Sequence, residues 1–166
     1  MEWGKKTAYL GVFLAIALIC SYIETLIPFQ FGIPGIKLGL TNIVVILALY
    51  LIGTGEAFLL SMLRIALSGL LFGNLFSVAY SAVGGILSFL VMLLLKKTDK
   101  FSCISVSVAG GISHNIGQIL LAVVIVNSFH ILYYIPVLLL AGLITGFLIG
   151  LLSQEMIVRL SGLFKK

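Results

Sequence analysis

Long apolar runs, broken at short intervals by glycine, proline and polar residues, make up most of this chain. The runs fall into six segments, at 7–27, 38–53, 56–73, 77–95, 103–127 and 134–158. Each approaches the roughly 20 residues that an α-helix needs to cross the hydrocarbon of a bilayer. The second is the shortest and gains length if Lys37 snorkels toward the surface. Turn formers punctuate the pattern: Pro28, Gly32, Pro34 and Gly35 after the first run, Gly53-Thr54-Gly55 after the second, Gly73-Asn74 after the third. Lys96-Lys97-Thr98-Asp99-Lys100 closes the fourth, and Asn127 to Tyr134 turns between the last two. The pattern predicts an all-α, polytopic membrane protein. It is a six-transmembrane-helix bundle forming a single membrane domain over 1–166.

Composition sharpens that picture. Hydrophobic residues make up 61% of the chain and charged ones 9%, and mean hydropathy is +1.29. Soluble domains carry about 25% charged residues, so a soluble fold is excluded. Charge then sets orientation. With six spans both termini fall on one side, and so do Lys5, Lys6, Lys96, Lys97, Lys100, Arg159, Lys165 and Lys166. The positive-inside rule puts that side, and both termini, in the cytoplasm of a cell-membrane protein. The net charge of +5 is this bias and does not point to nucleic acid. The first run is too long for a cleavable signal peptide and lacks a small-x-small cleavage site. Cys20 and Cys103 belong to opposite faces of the membrane, so neither a disulfide nor a metal cluster is expected from them.

Against this apolar background the polar residues stand out, because a charge kept in lipid costs at least a few kcal/mol. Ser61, Arg64 and Ser68 share one face of the third span. Arg64 lies near mid-bilayer. It either contacts an anionic ligand group, which guanidinium suits, or serves structure by pairing with Glu24 or Glu56 or bonding backbone carbonyls. The fifth span holds Gly110, Gly111, Ser113, His114, Asn115, Gly117 and Gln118. His114 and Gln118 are one turn apart, with Asn115 beside them. They either line a polar pocket or join helices by hydrogen bonds. Three amide or imidazole groups in five residues favour the pocket. At the start of the second span, Lys37 and Asn42 are placed to reach a ligand in an outward-facing cavity. The bland reading of Lys37 is a snorkelling helix start. Glu24 either pairs with Lys37 or contacts the ligand. Small residues make further stripes. Ser77, Ser81, Gly84 and Ser88 on the fourth span and Gly142, Gly146 and Gly150 on the sixth suit close packing. Ala8, Gly11 and Ala15 on the first suit packing or docking to another membrane protein.

The run Pro34-Gly35-Ile36-Lys37-Leu38-Gly39-Leu40-Thr41-Asn42, with Arg64 and with His114-Asn115-Ile116-Gly117-Gln118, resembles the Gx transporter family. Its members are often labelled heptaprenyl diphosphate synthase component I. The family in turn looks related to the substrate-binding S components of energy-coupling factor (ECF) transporters. The resemblance implies a six-helix bundle that binds a vitamin-like nutrient near the outer face. It implies partners as well: a membrane T component and two cytoplasmic ATPases. Docking would use the small face of the first helix, which maps onto Ala8, Gly11 and Ala15, a GxxxA in place of the usual AxxxA.

The residues set limits on the chemistry. The chain has no GxxxxGK[ST] phosphate loop, so ATP hydrolysis belongs to partners. Its one aspartate, Asp99, and four dispersed glutamates (Glu2, Glu24, Glu56, Glu155) cannot build the multi-carboxylate magnesium site that diphosphate ionisation needs. No cofactor, metal or catalytic residue is assigned. A membrane enzyme using His114 as acid or base would need a partner group that its own helix does not supply. The first expectation is therefore a non-catalytic binding subunit contacting its ligand through Glu24, Lys37, Asn42, Arg64, His114, Asn115 and Gln118. The alternative is an accessory membrane subunit in isoprenoid, quinone or membrane electron-transfer metabolism. Arg64 and Lys37 suggest an anionic ligand, and the amides a planar ring with donors and acceptors. A flavin meets both conditions, as do several other molecules.

Overall fold

The structure, a computed structural model, describes residues 3–26 and 39–164. The described residues form α1 (Trp3–Leu26), α2 (Leu40–Leu51), α3 (Thr54–Phe72), α4 (Leu75–Lys97) and α5 (Cys103–Val126). A 3₁₀ segment (Phe129–Tyr134) then runs into α6 (Ile135–Phe164). The all-helical class expected from the apolar runs is present. Five of these helical segments are long and apolar enough to cross a membrane. The second predicted span, 38–53, is not one of them. Its helix has 12 residues, about 18 Å of rise, against the roughly 30 Å of hydrocarbon. Gly39 explains the late start. At φ 71° and ψ 23° it sits in the left-handed region that only glycine adopts freely, so no right-handed helix passes through it. Lys37 and the preceding Pro28, Gly32, Pro34 and Gly35 lie outside the described residues.

α2 is apolar all round, and that composition fits a helix enclosed on every side. Val44 through Leu49 are all buried, against α1, α3 and α6. Phe13, Ala17, Leu60, Phe89, Met92, Val106 and Ile149 complete this core. In lipid the hydrophobic effect does not drive helices together, so close contact and interhelical hydrogen bonds must do so. The glycine stripes supply the contact. A Cβ on Gly142 would stand 2.8 Å from the Gly111 carbonyl oxygen, and one on Gly117 3.0 Å from the Gly84 Cα. Gly146 and Gly150 meet the backbone of Val108 and Ile104 in the same way. Two buried hydroxyls add bonds. Ser88 Oγ donates to the Gly110 carbonyl at 2.8 Å, and Ser107 Oγ to the Gly146 carbonyl at 2.7 Å. The packing role expected of Gly142, Gly146 and Gly150 is thus met.

The helix ends follow local chemistry. Asn74 and Ser102 accept from the backbone N–H groups of Ser77 (2.8 Å) and Ser105 (3.2 Å), capping α4 and α5. Asn127, at φ 50°, turns the chain out of α5. Lys96 donates to the Leu49 carbonyl at the C-terminal end of α2, with its ammonium 4.9 Å from the centre of the Tyr50 ring. A cation there suits the negative end of the helix dipole.

Both ends of the helical bundle are chemically distinct. Tyr9 of α1 meets Phe164 of α6 with ring centroids 4.5 Å apart, so the first and last helices start and finish together. Lys6 pairs with Glu56 at the start of α3, 2.6 Å away. Lys5, Lys6, Lys96, Lys97, Lys100 and Arg159 therefore gather at one end. At the other, Phe129, Tyr133 and Tyr134 of the 3₁₀ segment are exposed, as interfacial aromatic residues commonly are.

Candidate functional site

At the end away from the basic residues the bundle holds a cavity of about 180 Å³. All six α-helices contribute to its wall. α1 gives Ser21, Glu24 and Thr25, and the start of α2 gives Thr41 and Asn42 beside Gly39. α3 and the Gly73 that follows it line the cavity from Arg64 to Gly73, a rise of about 14 Å along the helix. α4 adds Ser77 and Ser81, α5 adds Gly111, His114, Asn115 and Gln118, and α6 adds Thr145. About half of the wall is polar, in a chain that is otherwise apolar. Polar groups at membrane depth are expected to face protein or a water-filled cavity, and this one has room for on the order of ten waters.

Arg64 is the cation that the described residues bring to this wall, and it is only 8% exposed. Its Nη1 donates to Thr41 Oγ1 at 2.8 Å and its Nη2 makes a long contact of 3.4 Å with Asn42 Oδ1. Its Nε is buried with no partner among the described residues. Of the two carboxylates that could have neutralised it, Glu56 is taken by Lys6. Glu24 lines the same cavity, and its charge acts on Arg64 while its Oε1 accepts from a backbone N–H. Arg64 is thus positioned by neutral oxygens from the first turn of α2.

Glu24 has a role the sequence did not suggest. Its Oε1 accepts from the backbone N–H of Leu40 at 2.6 Å. That N–H is among the unpaired donors at the start of α2, and a carboxylate there also faces the positive end of the helix dipole. Glu24 therefore ties α1 to α2 at the rim of the cavity.

The three polar residues of α5 divide by environment. Asn115 donates through Nδ2 to the Leu138 carbonyl of α6 at 2.6 Å, so one edge of its amide joins helices while the residue also lines the cavity. Ser113 bonds back to the carbonyls of Ala109 and Gly110 in its own helix and is not part of the wall. His114 lines the cavity, and its ring lies near Gly84. Gln118 is 1% exposed, and its Oε1 meets no partner among the described residues. Gly84 makes room for it. A Cβ there would stand 2.8 Å from Gln118 Cγ and from the His114 carbonyl oxygen.

Of the residues expected to contact ligand, Glu24, Asn42, Arg64, His114, Asn115 and Gln118 all come to this one cavity, and Lys37 lies outside the described residues. Several wall residues were not anticipated. From the sequence, Ser77 and Ser81 are expected to pack with Gly84 and Ser88. The stripe instead divides, with its first two hydroxyls on the cavity and its last two positions against α5. Thr41, next to Asn42, was legible as a polar pair at a helix start. Thr145 carried no signal, since its hydroxyl bonds the Ala141 carbonyl one turn back. The residues expected to dock a partner lie elsewhere. Ala8, Gly11 and Ala15 are exposed along α1, and no atom comes within 4 Å of where a Gly11 Cβ would be.

No curated protein and no solved structure matches the chain. A family model described as heptaprenyl diphosphate synthase component I matches residues 13–156. That stretch holds every residue of the cavity wall, Ser21 through Thr145, and all of α2 to α5, so the chain belongs to the heptaprenyl diphosphate synthase component I family.

Proposed function

We propose that this protein is the substrate-binding subunit of an ECF-type transporter, with no catalysis of its own. One observation carries the reading: a polar cavity at the end of the bundle opposite its basic residues, holding a buried Arg64 without an ion-pair partner among the described residues. Placed by the positive-inside rule, the basic end is cytoplasmic and the cavity lies toward the outside. Arg64 then binds the anionic group of an incoming small molecule. The volume bears on its size. About 180 Å³ is below the roughly 300–1,000 Å³ of pockets that take drug-sized ligands, so a compact anion suits the site better than a whole flavin. The open small-residue face of α1 at Ala8, Gly11 and Ala15 suits close approach of a T component, whose ATPases would supply the energy.

The family description favours a second reading, an accessory subunit of isoprenoid or quinone metabolism. With Asp99 its one aspartate, the chain would then contribute binding or anchoring and not the diphosphate chemistry. Two measurements separate the readings. Mass spectrometry of small molecules that co-purify with the detergent-solubilised protein should find one anion enriched in wild type and lost from Arg64→Ala. Gly11→Leu should retain that anion but fail to capture a T component. An accessory subunit would capture a soluble synthase component, with no anion that depends on Arg64.

A further inference from the structure

Gln118 is the least explained side chain in the cavity wall. It is 1% exposed, it lies between two close-packed helices, and its Oε1 has no partner among the described residues. Asn115, three residues earlier, shows how an amide in this wall can also serve structure: its Nδ2 donates to a backbone carbonyl of the neighbouring helix. Gln118 makes no such bond among the described residues. An amide has one acceptor and one donor group side by side, and leaving either unmet in a buried site costs more than a hydrogen bond normally gains. The backbone nevertheless makes space for this side chain. Gly84 and Gly117 bring α4 and α5 together, and any Cβ at Gly84 would strike Gln118 Cγ at 2.8 Å. Its terminal torsion is soft, so the amide edge can turn to the cavity without backbone movement.

We infer that Gln118 is a specificity-determining residue that reads an adjacent N–H donor and carbonyl acceptor on the ligand, beside the anionic group taken by Arg64. The ligand class is a compact carboxylate or phosphate whose ring carries a lactam, ureide or imide edge. A glutamine pairs with such an edge through two parallel hydrogen bonds, as it does with the donor–acceptor edge of adenine. The inference rests on the proposed binding function and narrows it. It also accounts for the empty-state cost, because the ligand supplies the partner that the protein withholds.

Two small carboxylates test it: hydantoin-5-acetate, a cyclic ureide, and cyclopentylacetate, its carbocyclic counterpart. Both are titrated by calorimetry into the detergent-solubilised full chain, its Gln118→Leu variant and its Arg64→Gln variant. The expected result is at least tenfold tighter binding of hydantoin-5-acetate by wild type, falling below twofold in Gln118→Leu, while Arg64→Gln weakens both compounds. Ligand-free Gln118→Leu should melt at or above the wild-type temperature, since it removes an unmet buried amide. Equal binding of the two compounds by wild type, or a preference that survives in Gln118→Leu, overturns the inference while leaving an anion-binding site in place. A lower melting temperature for ligand-free Gln118→Leu would give Gln118 a structural bond and overturn it too. Binding of neither compound overturns the inference and the compact-anion reading together.

Discussion

Arg64→Met separates a binding arginine from a structural one, because the two roles predict opposite signs for the stability of the empty protein. Methionine keeps the length of the side chain and removes its charge. The loss is one good hydrogen bond, Nη1 to Thr41 Oγ1 at 2.8 Å, about 1.5–3 kcal/mol for a charged donor. The contact to Asn42 at 3.4 Å lies beyond the usual range and contributes little. The gain is relief of a buried cation whose charge Glu24, across the cavity, offsets only in part, a penalty of several kcal/mol before that offset and the cavity's water soften it. Thr41 also lines the cavity, so its hydroxyl can rotate to bond water there. The terms leave the ligand-free variant within about 1 kcal/mol of wild type, or more stable, which is a change of no more than about 4 °C in melting temperature for a chain of this size. Binding of an anion should meanwhile fall roughly 10- to 100-fold, the loss of one buried charge-assisted contact. The assays are thermal unfolding of ligand-free protein in detergent and calorimetry with a compact carboxylate. A melting temperature lowered by more than about 8 °C with affinity unchanged would refute the reasoning and make Arg64 a structural anchor.

Three further outcomes are expected. Gly39→Ala forces a side chain into a left-handed backbone at φ 71°, costing about 1–2 kcal/mol, and shifts Thr41 and Asn42. Melting temperature and anion affinity should fall together, and a loss in only one would mean the turn does not position the site. Gly142→Val sets new atoms against the Gly111 carbonyl at 2.8 Å and Asn115 Nδ2 at 2.9 Å. Overpacking of about 1–3 kcal/mol should lower its melting temperature, whereas Gly11→Leu, with open space around it, should melt with wild type. Asn115→Leu removes the 2.6 Å bond to Leu138 and should destabilise the empty protein by about 1 kcal/mol; a stability equal to wild type would show that this bond does not hold α5 to α6.

How much of this was legible in the sequence depended on what each signal measures. The apolar runs located the helices because a span must be long and uncharged, a property of composition alone. They located the second helix too, Leu40–Leu51 within 38–53, but its start at Leu40 is set by the left-handed backbone of Gly39, which an apolar run does not show. Periodicity put Arg64, His114 and Gln118 on faces, and those faces meet at one cavity. It could not tell Gln118 from Asn115, because whether an amide finds a backbone carbonyl depends on the depth at which α6 passes α5. The stripe on α4 was ambiguous for the same reason. Serine serves equally well against a helix and against water, so Ser77 and Ser81 looked like Ser88. The role of Glu24 at the start of α2 was hidden by sequence distance, the carboxylate lying sixteen positions before the N–H that it accepts from.

The shortness of α2 also explains why a chain this apolar contains a polar cavity. The neighbouring helices run for 19 to 30 residues, while α2 covers about 18 Å. It fills the basic end of the bundle, where Lys96 closes its C-terminus at Leu49. Its first turn stops part way along α3, level with Arg64, to which Thr41 and Asn42 are bonded. Beyond that level α3, α4 and α5 continue without α2 between them, and their inward positions hold Ser68, Ser77, Ser81, His114 and Gln118 in place of the Val44–Leu49 core. The floor of the cavity is therefore the N-terminus of a helix, with a cation beside it. The positive helix dipole and a guanidinium both favour negative charge at one place. Glu24 already occupies part of that field through Leu40. An anionic ligand entering at Arg64 would have to share or displace it, so Glu24→Gln should raise anion affinity while weakening the cap on α2. If affinity for a compact carboxylate falls in Glu24→Gln, the carboxylate of Glu24 is itself part of the recognition, and the ligand carries a positive or donor group toward α1.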